Sequence, residues 1–309
     1  MLYGKPSEEL NAEQKATVSA IASLSGAATG ASIDSGVNNI AQANLAAQNA
    51  VDNNWGEVGH YSTMATVLYL AGFSPKDAKA IALAAWASDT DKRNAITGPN
   101  INNGKDPTQP QITDHVLDGE KDPAKVIAMQ QEKAKEVAVV LRTIKQYEND
   151  PVVKAAYLNS PIVQQVLHSF GDAFAHVQKD GTHYDPKNGH AVDSKTGHDP
   201  DDPNIHADAY KSYVSTLFNL ASQATVITRV SISTITNLAD KVTLSSTEGG
   251  QKLILKSAIG SVTKAEASSL VNSPVKECGL GQNCQKIGVG DLANPVIQSI
   301  LGAPNTKNH

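Results

Sequence analysis

The sequence predicts a mainly α-helical protein: a helical bundle interrupted by long polar loops, with a small irregular or α+β appendage at its C-terminal end. Three observations carry this. Between residues 61 and 224, apolar residues recur at three- and four-residue spacing in several segments, the period of a helix with one buried face. Several of these segments open on Ser-Pro or Asp-Pro, which supplies an N-cap followed by proline at the first helical position. The stretches 98–122 and 177–204 are crowded with Pro, Gly, Asn and Asp, and loops of such length inside a compact domain are functional or disordered.

Taken in order, residues 1–54 contain "SEELNAEQKATVSAIASL", with helix-start chemistry before an apolar periodic run. The small residues that follow (Gly26, Ala27, Ala28, Gly30, Ala31) bury too little area for an independent core. Two helices that lean on something else are expected here. In residues 55–235, "YSTMATVLYLAGF" is an apolar helix stopped near Gly72, and "SPKDAKAIALAAWASD" starts on Ser74 and Pro75. "DPAKVIAMQQEKAKEVAVVLRTIKQYEND" is a long amphipathic helix whose buried side is traced by Val126, Met129, Val137, Val140, Leu141 and Ile144. "SPIVQQVLHSFGDAFAHVQ" and "ADAYKSYVSTLFNLASQ" supply two more. In residues 236–309, "KVTLSS" and "QKLILKSA" alternate enough to predict a short hairpin.

With 309 residues, the chain accommodates two or three modest domains, or one with long flanks. Only 5% of residues are aromatic, so the core rests on Ala, Val, Leu and Ile. A net charge of −5 gives no basic surplus of the kind nucleic-acid-binding domains carry, although an enzyme can hold phosphate through metal ions. No apolar run reaches the roughly 18 residues needed to span a bilayer, and "MLYGKPSEEL" has no apolar signal-peptide core. Cys278 and Cys284 have a C-x5-C spacing, unlike a C-x2-C zinc or redox pair. A small local disulfide and two free thiols both fit.

Chemistry concentrates in the histidines, six of nine lying between 168 and 206. His168, Asp172 and His176 are four residues apart in turn, so they drift by only about 40° per step and share one helix face. Their neighbours Phe170, Ala173, Phe174 and Ala175 are apolar. A polar stripe in apolar surroundings requires partners, because unpaired buried carboxylates and imidazoles are costly. Metal ions can be those partners; a solvated His/Asp face or a hydrogen-bonded His–Asp pair is the alternative. The following loop, "HYDPKNGHAVDSKTGHDPDDPNIH", mixes histidine with carboxylate, which suits zinc better than calcium.

"WGEVGH" at 55–60 resembles the mature N-terminus of the zinc-dependent single-strand nucleases that share a fold with bacterial zinc phospholipase C. The resemblance implies a zinc-cluster helical bundle over about 55–225. It implies that Trp55 chelates zinc through a free α-amine and carbonyl oxygen, joined by His60. The family's Trp-Ala-Asp is interrupted here as Trp86-Ala87-Ser88-Asp89, so Asp89 and Asp91 compete for one ligand role. His115-Val-Leu-Asp118 matches its His-x-x-Asp, and "HSFGDAFAH" matches its His-x3-Asp-then-His at His168 and Asp172, with a shorter gap to His176. His198 and Asp202 fit its last His-x3-Asp/Glu, although Pro200 between them forbids the usual helix. His190, Asp193 and His206 compete with them. By this likeness, two or three zinc ions are expected. His168, His115 and the Asp89 or Asp91 carboxylate hold one, His176 with His190 or His198 a second, and Trp55 and His60 with a bridging Asp172 a third. Asp172 and Asp89 are then the catalytic carboxylates. Such a cluster lowers the pKa of a bridging water and stabilises charge on a phosphodiester.

Val51-Asp52-Asn53-Asn54 resembles the Val-Glu-Asn-Asn motif that separates the stalk of contact-dependent growth inhibition exoproteins from their variable C-terminal toxins. The likeness implies a pretoxin segment over 1–54, a toxin domain over 55–235 and a region of open role over 236–309. It implies a large secreted exoprotein on the producing bacterium's surface, a toxin delivered into the target cell, and a cognate immunity protein. Nucleic acid is the expected substrate, with membrane phospholipid as alternative. A non-catalytic membrane-active module and a metal-stabilised structural domain are the rivals.

Asparagine can attack its own following peptide bond, and cleavage after Asn54 makes Trp55 a new N-terminus. An Asn54→Ala chain is therefore expected to stay uncleaved, to bind less zinc than the released fragment and to be less active. Metal analysis of both forms checks this; equal zinc and equal activity contradict it.

Overall fold

The computed structural model describes residues 56–90, 112, 115–185, 202–263, 267, 270 and 271. Asn54, Trp55, Asp91, His190, Asp193, His198, Cys278, Cys284 and the pretoxin helices expected in 1–54 lie outside the described residues. The described elements are a π-helical segment (Gly56–Thr63), then α1 (Met64–Leu70), α2 (Pro75–Thr90), α3 (Pro123–Gln146), α4 (Pro151–Leu158), α5 (Pro161–Ala175), α6 (Ala207–Ala224), α7 (Ile232–Thr243) and α8 (Glu248–Gly260). No strand occurs among them; extended pairing is limited to one antiparallel bridge, Val177 to His183.

The starts follow the cap chemistry. Ser74 Oγ accepts the Asp77 amide at 3.0 Å and donates to the Asp77 carboxylate at 2.9 Å, a reciprocal cap. Asp122 accepts from the Ala124 amide ahead of Pro123, and Asp150 from the Val153 amide ahead of Pro151. The second of these caps starts α4, a helix not among those expected, which stop at Asp150 and resume at Ser160. Of the positions expected to face inward on α3, Met129 is only half-buried, while Val126, Val137, Val140, Leu141 and Ile144 are buried.

α1 ends where expected. Gly72 has φ +111°, and a Cβ there would run into the Ile227 carbonyl. Arg229 then donates to the carbonyls of Tyr69 and Phe73 and lies 4.2 Å over the Tyr69 ring, satisfying acceptors that a helix end leaves open.

The hairpin expected in 241–258 is not formed: these residues belong to α7, a turn and α8. Ser231 and Thr247 accept amides as N-caps. Ile235, Leu238, Ala239 and Val242 are buried at helical spacing, as are Leu255 and Ile259; that period outweighs the weak alternation. The boundary expected at 235/236 falls inside α7. Ile235, Leu238, Ala239, Val242, Leu255, Ile259, Ala267, Leu270 and Val271 share one hydrophobic cluster with the π-helical segment and α1–α6.

Two features anchor the π-helical segment to this C-terminal part. Lys252 on α8 pairs with Glu57 at 2.9 Å and with Glu248 at 2.7 Å. Burial pulls the Lys252 ammonium towards neutrality, but Glu248 and Glu57 outweigh it and raise its pKa. Ser62 Oγ donates to the Val271 carbonyl at 2.7 Å.

One continuous core predicts one unfolding transition. Leu141→Ala on α3 and Leu255→Ala on α8 each remove a side chain with 0% exposure. Each is expected to lower stability by about 2–5 kcal/mol within the same cooperative urea transition. A separate, earlier transition affected by Leu255→Ala alone would show the C-terminal helices to be an independent unit.

Candidate metal centre

Asp172 sits on the buried face of α5 with 2% of its surface exposed. Its carboxylate is enclosed by histidines from separate parts of the chain. Oδ1 lies 2.8 Å from His60 Nε2 in the π-helical segment. Oδ2 lies 3.1 Å from His115 Nδ1, in the extended stretch before α3, and 3.1 Å from His168 Nε2, one turn earlier on α5. His176 Nδ1, at the end of the same helix, is 3.9 Å from Oδ2. Burial alone would push the Asp172 carboxyl up; His168, His176, His60 and the hydrogen bond from His115 overcome this and hold it well below the usual carboxylate range.

The surroundings dictate much of this placement. A Cβ on Gly171 would come within 2.6 Å of His60 Cε1 and 2.8 Å of its Nδ1, so glycine there makes room for the His60 ring against α5. π-helical turns are uncommon and concentrate at functional positions, and Gly56 and Gly59 ease the wide winding of "GEVGHYST". Tyr213 donates to the Gly59 carbonyl at 3.3 Å, and Thr63 and Tyr210 share a hydroxyl contact of 2.9 Å.

The proton positions are compatible with a cation in the cluster as well as with hydrogen bonds. His168 Nδ1 is 3.0 Å from the Ala85 carbonyl, which can only accept, so Nδ1 carries the proton. In the neutral ring Nε2 is then a lone pair, yet it faces Asp172 Oδ2, also an acceptor. A positive imidazolium or a cation resolves that contact, as does a proton on His115 Nδ1, which lies 3.1 Å from both atoms. The first option crowds charge, because the His60 and His168 rings are 4.3 Å apart and those of His115 and His168 4.9 Å apart. The second fits the distances. His115 Nδ1, His168 Nε2 and Asp172 Oδ2 form a triangle with every side 3.1 Å, close to the roughly 3.3 Å between neighbouring ligand atoms of a tetrahedral zinc with bonds of about 2.0 Å. Likewise, the ligand atoms of His60, His168 and Asp172 all lie within 4.8 Å of one another. The donor set of imidazole and carboxylate fits zinc.

The structure thus brings together His60, His115, His168, Asp172 and His176. Asp89 belongs to α2, four residues beyond Ala85; only its backbone is described. Asp202 is engaged elsewhere: its Oδ1 accepts from the Asn204 amide at 2.9 Å and from Gln251 of α8 at 3.0 Å, and it is not a member of the metal-competent group. His206 occupies the N-cap position of α6. One site-adjacent residue escaped the sequence reading. His183, fully buried, has Nδ1 2.7 Å from the Asp118 carboxylate; it belongs to no i, i+4 pattern, and no spacing rule selects it.

A cleft of about 480 Å³ opens beside the end of α5, lined by Val126, Ile127, Phe174, Val177 and Lys179 among others. Phe174 is two residues from Asp172, about 200° around the helix, so the cleft and the metal cluster flank α5 on different sides.

A mainly helical protein with a buried His/Asp cluster is the class that fold and site define. Residues 7–55 match the family model described as the pre-toxin domain with VENN motif. This likeness supports placing the chain in the C-terminal region of a polymorphic toxin. Neither curated proteins nor solved structures gave a match. Among the described residues, no helix is long and apolar enough to cross a membrane.

Gly171→Ala is expected to push the His60 ring off Asp172 while leaving the α5 backbone helical. Zinc affinity should fall at least tenfold by competition with a chromophoric chelator, with far-ultraviolet circular dichroism unchanged. Unaltered affinity would mean that His60 is not a ligand.

Proposed function

We propose that the region beginning at Trp55 is a zinc-dependent phosphodiesterase toxin that cleaves nucleic acid and is released from a larger secreted exoprotein for delivery into another bacterium. The observation that carries the reading is the Asp172 carboxylate, buried and enclosed by four histidines, a donor set with which a cation can be held. The pre-toxin likeness supports the toxin setting, and its match ends at residue 55, where the Trp55–His60 hexapeptide starts. Cleavage after Asn54 gives Trp55 the free amine that completes the ligand set. A cognate immunity protein belongs to this reading.

Residues divide the work by position. His168 and His115 lie on Asp172 Oδ2 and His60 on Oδ1, so these four residues would hold the metal. His115, whose side chain is 13% exposed, is more open than the nearly enclosed His60 and His168, which supports substrate approach from its side. Bound zinc supplies an acidified water and neutralises charge on the phosphodiester oxygens. Asp89, the second proposed catalytic carboxylate, belongs to α2, whose Ala85 carbonyl orients His168.

Phospholipid is the second reading, favoured by one observation. The cleft beside the end of α5 has apolar walls at Val126, Ile127, Phe174 and Val177, surface that suits an acyl chain better than a sugar–phosphate backbone.

Protein starting at Trp55 and loaded with zinc is expected to degrade single-stranded DNA or RNA. Chelation and Asp172→Asn should each reduce the rate by at least a hundredfold. Release of phosphorylated headgroup from phosphatidylcholine or phosphatidylglycerol vesicles, with nucleic acid untouched, transfers the reading to phospholipase C. Activity indifferent to chelator, or dye leakage without hydrolysis, overturns it.

A further inference from the structure

α8 buries one face and leaves the opposite face uncovered by the described residues. Gln251, Leu255 and Ile259 are buried on the inner side. On the outer side, Gly249, Leu253, Lys256 and Gly260 follow at steps of four, three and four residues, which is one stripe of a helix. Leu253 is 67% exposed. Among the described residues, a Cβ on Gly249 or on Gly260 would meet nothing within 4 Å. The stripe is thus an exposed leucine standing between two lengths of bare backbone.

The chain that precedes the bundle arrives at this helix. The described residues begin at Gly56, and the next residue, Glu57, pairs with Lys252 of α8 at 2.9 Å. The segment before it lies within the pre-toxin match over residues 7–55 and buries too little area for a core of its own. Its last periodic stretch, residues 37–51, reads "VNNIAQANLAAQNAV" and carries Ile40, Asn44, Ala47 and Val51 at steps of four, three and four residues, matching the α8 stripe. Five residues separate Val51 from Gly56, a reach of roughly 17 Å when extended. That is enough to turn back onto the start of α8.

We infer that residues 37–51 dock as a helix antiparallel to α8 on this outer face, with Val51 over Gly249, Ala47 against Leu253, Asn44 beside Lys256 and Ile40 over Gly260. In this register each large apolar side chain meets glycine or alanine, the fit that lets two helices approach closely. The Asn44 side-chain oxygen can accept from the Lys256 ammonium. The parallel alternative sets Leu253 against the amide of Asn44 and Lys256 against Ala47, and it carries Val51 away from the end of α8 where Glu57 is anchored. The docking itself is independent of the metal reading. Its consequence for release rests on cleavage after Asn54: cutting there removes the tether, and with it the effective concentration that holds the segment on α8. Release then uncovers Leu253.

The test places the photo-crosslinker benzoylphenylalanine at position 253 of the full chain and maps the products by mass spectrometry. Linkage within one chain to Ala47 and its neighbours is expected. Hydrogen–deuterium exchange gives a second readout: Leu253→Glu should accelerate exchange of the 37–51 amides at least tenfold, with the α3 and α5 amides unchanged. Linkage to residues 272–309, linkage between two chains, or no linkage overturns the inference. Exchange over 37–51 in the unsubstituted chain as fast as in an unfolded peptide overturns it as well. Neither readout involves zinc, so failure here leaves the metal reading standing.

Discussion

The interaction on which the rest depends is the burial of one ionised carboxylate. Removing Asp172 from water costs on the order of several kcal/mol unless compensating charge and hydrogen bonds surround it, and the fold assembles its compensation from three separate segments. The π-helical segment brings His60, the extended stretch before α3 brings His115, and α5 contributes His168 and His176. None of these segments supplies the site alone. The packing of α5 against α2, α3 and the π-helical segment therefore also assembles the His/Asp cluster that could hold a metal ion.

The orienting contacts extend this dependence outward. His168 is aimed by the Ala85 carbonyl of α2, His176 by the His115 carbonyl, and His183 by Asp118. The π-helical segment is tied to the far C-terminal part through Lys252–Glu57 and Ser62–Val271. α8 and Val271 thus help hold His60 in place. The aromatic rings of Phe170, Phe174 and Tyr213 pack at 5.4–6.0 Å on the other side of α5, giving that helix a rigid back.

Much of this was legible in the sequence because local rules act on it. The Ser-Pro and Asp-Pro starts, Gly72 as a stop and the inward face of α3 follow from capping and periodicity, and the shared face of His168, Asp172 and His176 follows from helical geometry. His60 and His115 required family likeness, since nothing local relates residues 60, 115 and 172. Parts of α7 and α8 were misread as a hairpin because Ser, Thr and Gly dilute their composition; their burial, at i, i+3, i+4 and i+7 in α7 and at i, i+4 and i+8 in α8, depends on a neighbouring surface that no single segment reveals. His183 opens the loop whose mix of histidine and carboxylate suggests zinc, but nothing local singles it out. Its partner Asp118 is 65 residues away, and only tertiary structure shows which ring nitrogen is left over.

The most direct test of the central claim is anomalous diffraction at the zinc absorption edge from crystals of the zinc-loaded protein. The account predicts an anomalous peak within about 2.0–2.2 Å of His168 Nε2 and an Asp172 carboxylate oxygen, with His168 Nδ1 still on the Ala85 carbonyl. No peak at Asp172, with the five side chains arranged as a closed set of hydrogen bonds, would contradict it and reduce the cluster to a charged structural core.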